Sequence, residues 1–324
     1  MTPRDDRHVE LAAFGFAPSV LAALYKAGFR YPTDLLDRSV RELSNGITVK
    51  DATAVFNAVR ETQDRVVSLP PSALDLLAEA NRIQPISTLV PVFDDILGGG
   101  IAKGELTEIC GAPGTAKTQL GIHLCLAAHI QRHSQSLTGA LSSYSSIFVD
   151  TEGSFVIERV AAMAESLSQR LSGVARDDLL RGIAYYRAHD YVEQLEILHS
   201  LPHTLHSQSE IQLIVVDSIA FHFRHGFEDY GQRARALDAT AVLLERLATQ
   251  HNVAVTNRTS FLSRSGLSDV PALGDAWAHT ITNRVTLAWE AADRVARVTK
   301  SSCLAQGACR FQVTREGIQG LDNE

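Results

Sequence analysis

The sequence predicts an α/β protein: a mostly parallel sheet flanked by helices, an antiparallel extension at its C-terminal end, and a small all-helical unit in front. Three observations lead there. From about residue 86, short apolar runs rich in β-formers alternate with longer helix-like stretches, the pattern of a parallel sheet covered on both faces. Near the C-terminus, "RVTLAWE", "RVARVTK" and "CRFQVTR" follow one another across short turns, as antiparallel strands do. Before residue 67 the only periodicity is helical.

The N-terminal unit, residues 1–66, carries "APSVLAALYKAGF" and "KDATAVFNAVRE", with apolar residues at three- and four-residue steps. Between them Thr33 and Ser39 read as helix N-caps and "SNGI" as a turn, giving a helix-hairpin-helix-like arrangement. Nine Lys+Arg stand against nine Asp+Glu, so the unit has no net charge. Contact with DNA backbone, contact with protein, and plain packing all fit such a unit. Residues 67–85 read as a linker: the Pro-Pro pair of "SLPPSALDLLAEANRIQ" stiffens the chain, and a short helix leads into a core spanning 86–324.

In the core, strands are expected at "LTEIC", "SIFVD", "GIAYY", "QLIVVD" and "NVAVTN". Helices are expected at "TQLGIHLCLAAHI", "SFVIERVAAMAESLSQRL" and "RARALDATAVLLERLATQ". With 45% hydrophobic and 21% charged residues over 324, the composition is that of an ordinary globular chain. No apolar run approaches the roughly 20 residues that cross a bilayer, and "MTPRDDRHVE" has no apolar leader core. Four irregularly spaced cysteines (Cys110, Cys125, Cys303 and Cys309) show no zinc spacing and fit a reducing compartment. A net charge of −7 argues against wholesale coating of nucleic acid, while leaving room for a local basic groove.

The chemistry concentrates in "GAPGTAKTQL", where a strand enters a loop of small residues and an apolar helix starts at Lys117. Backbone N–H groups of such a loop, with the helix N-terminus, cradle phosphate oxygens. Gly111, Ala112, Pro113, Gly114, Thr115, Ala116, Lys117, Thr118 and Gln119 are therefore expected to bind ATP, Lys117 reaching the β- and γ-phosphates and Thr118 ligating Mg²⁺. Ala116 stands where glycine is usual and adds one methyl group, expected to crowd the loop. About 100 residues on, "QLIVVDSIAF" ends an apolar strand on Asp217, placed to hold Mg²⁺. "FVDTEGSF" ends another on Asp150, Thr151 and Glu152, whose carboxylates are expected to face the same crevice. Glu152 is then placed to orient or deprotonate water, the alternative being an acid that caps the next helix.

The order of these pieces resembles the RecA superfamily of strand-exchange ATPases. In detail, "FDDILGGGI", "TEICGAPG", "DTEGSF", "LIVVDSIAFHFRH" and "VPALGDAWAH" resemble the eukaryotic recombinase paralogues designated C, over about residues 10–315. The resemblance implies a RecA-like core, ATP and Mg²⁺ as cofactors, and Lys117 and Glu152 as catalytic residues. It also implies that Arg159 stacks on adenine, that Asn257 begins an Asn-Gln sensor, and that Pro271 covers ATP on a neighbouring subunit. The sensor's second residue is Arg258 here, not glutamine.

Two segments match the family's DNA loops: "HFRHGFEDYGQRARA", with Arg224, Arg233 and Arg235, and about residues 258–273, with Arg258, Arg264 and Phe261. Seven Lys+Arg against four Asp+Glu between residues 256 and 310 make that part locally positive. Filament-forming relatives insert a Phe-x-x-Ala anchor from the linker, a position that falls in "LPPSA" here; "FGFA" occurs only at Phe14–Ala17. Long homofilaments are therefore not expected, whereas hetero-oligomers with related paralogues and the strand-exchange recombinase are. The function so implied is a slow DNA-dependent ATPase of homologous recombination in the nucleus, binding single-stranded or junction DNA and no membrane. An ATP-dependent scaffold with little hydrolysis and a RecA-type helicase-like ATPase are the alternatives.

Overall fold

Each β-rich run of the sequence becomes a strand in the computed structural model, which describes residues 10–35, 38–44, 46–66, 71–135, 143–171, 173–224, 227, 229–259, 261–262, 270–271 and 273–321. The chain divides into two units, Met1–Arg82 and Ile83–Glu324, so the division falls inside the segment read as a linker.

The first unit holds α1 (Pro18–Lys26), α2 (Val40–Leu43), α3 (Val49–Val66) and α4 (Ala73–Ala80). Its own small core gathers Leu11, Val20, Leu24, Leu35, Leu43, Ala52, Val55 and Val59. Phe14 and Phe16 of "FGFA" stack at 5.7 Å and pack against that core. Ser39 caps α2 in a reciprocal box with Glu42. Thr33, expected to be a cap, lies inside a 3₁₀ turn, Pro32–Leu35, and the neighbouring Asp34 carboxylate accepts the N–H groups of Arg30 and Tyr31 instead.

The second unit runs α5 (Pro91–Ile96), β1 (Leu106–Gly111), α6 (Lys117–Gln135), β2 (Ser146–Asp150), α7 (Ile157–Arg170), α8 (Arg176–Arg181), β3 (Ile183–Arg187) and α9 (Tyr191–Ser207). It continues with β4 (Leu213–Asp217), α10 (Ala220–Phe223), α11 (Tyr230–His251), β5 (Ala254–Thr259), β6 (Phe261–Leu262), β7 (Val270–Pro271) and α12 (Gly274–Thr280). The last strands are β8 (Asn283–Glu290), β9 (Asp293–Lys300), β10 (Ala308–Thr314) and β11 (Gly317–Leu321). Nine strands form one sheet in the order β11-β10-β9-β8-β1-β5-β4-β2-β3. From β8 to β3 neighbours are parallel, and β8 through β11 are antiparallel, the RecA-like pattern expected. The helix α9 and the strand β11 were not legible in the sequence: Pro202 interrupts the first pattern, and two glycines dilute the second.

Two apolar layers sandwich the sheet. One packs α5, α6, α7 and α8 around Phe93, Ile122, Leu126, Phe148, Met163 and Phe311. The other packs α9, α11 and α12 around Leu198, Val216, Leu244, Val255 and Trp277. Because successive strand residues face opposite layers, Ala254 joins the first and Val255 the second. That alternation decides which residues at the strand ends can reach the loop before α6.

Candidate nucleotide site

The loop between β1 and α6 is shaped by where its backbone can go. A Cβ on Gly111 would stand 2.2 Å from the Leu287 carbonyl oxygen of β8, so a side chain there meets backbone. Gly114 has φ +82° with open space around it, so only its backbone conformation favours glycine. Ala116 has φ +81°, in the left-handed region. For an alanine that conformation costs about 1 kcal/mol. The cost of the missing glycine is thus backbone strain rather than the crowding expected from the sequence, and the Ala116 methyl packs half-buried against the α6 layer.

Lys117 opens α6 with its side chain folded under the loop. Its Nζ donates to the carbonyls of Gly111 and Ala112, each at 2.7 Å. Burial brings its ammonium down to about 8; the Arg258 charge pushes the same way, while Asp217 and Glu152 oppose it. Thr115 donates to Ala112 O at 2.9 Å and closes the turn.

Parallel register aligns the acids. Asp150 of β2 pairs with Asp217 of β4, and Val216 pairs with Asn257 of β5. Asp217 is buried, and burial raises its carboxyl to about 6, with Arg258 and the Thr118 hydroxyl pulling it back. Asp150, expected to face the crevice, is engaged elsewhere. Its Oδ1 accepts the N–H groups of Glu152, Gly153 and Ser154, and its Oδ2 those of Phe155 and the Tyr185 hydroxyl. Thr151 is likewise held by the backbone of Ser218. Both set the geometry of Glu152, the acid of this segment that faces the loop, whose Oε1 accepts the Ser218 hydroxyl at 2.8 Å.

Arg258 closes the cluster. Its Nη2 meets Glu152 Oε2 at 2.5 Å, and its Nη1 lies 2.6 Å from both Thr118 Oγ1 and Asp217 Oδ1. The guanidinium, expected among the DNA-contacting arginines, is therefore held here by three groups of the candidate nucleotide site. Asn257, one residue earlier, falls on the face of Val255, opposite α6; its amide atoms are buried without partners among the described residues. Strand alternation thus sets it on the sheet face away from α6.

Arg159 of α7 donates to Gln119 Oε1 at 2.6 Å and to the carbonyls of Arg315 and Thr314 at 2.6 and 2.7 Å. It ties α6 to the turn after β10 and is not a solvated helix arginine. A cavity of about 320 Å³ lies above the loop, bounded also by Gln119, Arg258, Arg294 and Val313. Arg294 was missed in the sequence. It lies 4.0 Å over the Trp289 ring, and its Nε faces Gly114 O at 3.4 Å. The signal was there in the hairpin "LAWEAADRVA", whose register sets Trp289 opposite Arg294.

Behind the loop, the buried Glu108 of β1 accepts from Thr259, Trp277 and Arg284 at 2.8, 3.2 and 2.5 Å. It fixes the end of β5 and the "PALGDAWAH" helix to the central strand. Of the other expected DNA residues, Arg224 is exposed after α10, while Arg233 and Arg235 sit in the first turns of α11 rather than on a loop. Arg264 lies outside the described residues, and Pro271 pairs with Phe261 in a two-stranded ribbon.

The residues fit Mg²⁺ with a nucleotide. Asp217 Oδ1 is buried and already faces a cation, the Arg258 guanidinium at 2.6 Å, so this carboxylate oxygen is of the kind that can ligate Mg²⁺. Thr118 Oγ1 stands at the same point, and the loop amides with Lys117 present the donors an anion needs.

The sequence profile of the Rad51 family matches residues 79–321. The chain is 33% identical to the DNA repair protein RAD51 homolog 3 of Cricetulus griseus over an alignment of 340 residues, covering 96% of this chain and 92% of that protein. It is 32% identical to the DNA repair protein RAD51 homolog 3 of Dictyostelium discoideum over 269 residues, covering 77% and 69%.

Proposed function

The chain belongs to the Rad51 family, and from that premise we propose that it is an ATP-binding, slowly hydrolysing recombinase paralogue of DNA repair by homologous recombination. The observation that carries this reading is the convergence of Lys117, Thr118, Glu152 and Asp217 on the loop before α6. Thr118 and Asp217 would hold Mg²⁺, which supplies neutralisation of phosphate charge when bound. Lys117 would hold the terminal phosphates, releasing the Gly111 and Ala112 carbonyls to do so. Glu152 would orient a water and take its proton, held at the right height by the Asp150 carboxylate beneath its loop. Arg159 and Gln119 would border the adenine, and Arg294 the phosphates.

Slow turnover follows from the engagement of Glu152: one oxygen accepts from Ser218 and the other pairs with Arg258, so the base must be freed before it acts. The same observation favours, as second reading, a scaffold that binds ATP and scarcely hydrolyses it. DNA contact is assigned to Arg224, Arg233, Arg235 and Arg264, and assembly to a hetero-oligomer with related paralogues and the strand-exchange recombinase in the nucleus. Phosphate release measured with and without single-stranded DNA tests the reading on wild type, Lys117→Ala and Glu152→Gln. Slow release lost in both variants, with nucleotide still bound by Glu152→Gln, is expected. Release by Glu152→Gln at the wild-type rate would remove Glu152 as the base; no release by any of the three would favour the scaffold.

A further inference from the structure

The fork of Arg258 grips the groups that the proposed function gives to the metal and to the base, while its own backbone is fixed. Its strand pairs with β1 through Ile109 and ends on Thr259, which Glu108 holds at 2.8 Å. Only the side chain is free to change place, and the side open to it is the cavity above the loop, which it already borders.

Sterics and charge then set a competition. Mg²⁺ draws its oxygen ligands to about 2.0–2.1 Å and keeps several waters. Arg258 Nη1 already stands 2.6 Å from both Thr118 Oγ1 and Asp217 Oδ1, so a metal and the fork cannot hold these two oxygens together. Arg258 and Lys117 also balance the two carboxylates Glu152 and Asp217. An incoming dication meets a neutral set of side chains, whereas without Arg258 it would meet one net negative charge.

Resting on the ATP reading above, we infer that Arg258 is a resident cation of this site, an autoinhibitory fork that competes with Mg²⁺ for Thr118 and Asp217 and restrains Glu152 until it swings into the cavity. The fork sets the Mg²⁺ concentration at which the site engages nucleotide. It also braces the acids that would otherwise repel one another.

Equilibrium binding of a fluorescent, non-hydrolysable ATP analogue to the full chain, titrated with Mg²⁺, tests this on wild type, Arg258→Gln and Arg258→Lys, with thermal unfolding followed at each Mg²⁺ concentration. The glutamine variant is expected to reach half-maximal binding at about tenfold less Mg²⁺ than wild type. It should unfold at a lower temperature than wild type in chelator, and regain the difference as Mg²⁺ rises. Lysine keeps the charge without the fork, so its Mg²⁺ midpoint is expected above that of glutamine. Equal Mg²⁺ midpoints for all three proteins, with analogue bound, would overturn the inference and leave the ATP reading standing. Failure of every protein to bind analogue at any Mg²⁺ concentration would overturn both.

Discussion

Between Gly111 and Thr118 most of what shapes the site is local: Lys117 reaches back six residues to Gly111 O and Thr115 three to Ala112 O. A few ångströms away, Arg258 reaches across 106 residues of chain to Glu152 and across 140 to Thr118. The loop is a backbone device that any strand–helix junction of the right letters can form. The acid cluster exists only because four strand ends arrive in one register. A site of this kind has one half that its own residues specify and one half that reports on the whole sheet.

Substitutions should divide along that line. The largest effect is expected in the cluster from Asp150→Ala, which strips four loop amides and the Tyr185 hydroxyl of their acceptor, a loss of about 3–5 kcal/mol in urea denaturation. A loss under about 1 kcal/mol would show that the cluster does not depend on that anchor. Next comes a long-range contact of the loop. Gly111→Ala drives a methyl against Leu287 O and is expected to cost about 2–3 kcal/mol, whereas Gly114→Ala, with open space, costs about 1 kcal/mol. Equal costs would erase the distinction between contact and conformation at these glycines. The smallest effect is a gain. Ala116→Gly relieves the left-handed strain, less the entropy of a freer unfolded chain, for up to about 0.5 kcal/mol of added stability by calorimetry. A destabilised Ala116→Gly would mean that the methyl packing outweighs the strain.

The same division explains what was legible. Alternating apolar runs give the parallel sheet because each strand's burial pattern lies in consecutive residues, as in the fully buried "LTEIC" and "LIVVD". The loop was legible because its spacing is its mechanism. Asp150 and Glu152 are two letters apart and look alike, yet one is buried under backbone amides and the other faces the loop; only the turn after β2 separates them. That Arg258 and not Asn257 lies on the loop side is equally hidden in the letters: the phase of β5 against α6 decides which of two neighbours sees the loop. Arg294 depends on hairpin register, and Glu108 on partners more than 150 residues away.

Calorimetric titration of Mg²⁺ and a non-hydrolysable ATP analogue into the full chain, alongside Lys117→Ala, tests most directly whether a loop with alanine at position 116 still captures a nucleotide. Saturable one-to-one binding by wild type, weakened at least about a hundredfold when the buried ammonium is removed, is expected. No heat of binding from folded wild-type protein, or equal affinity in the two, would contradict it.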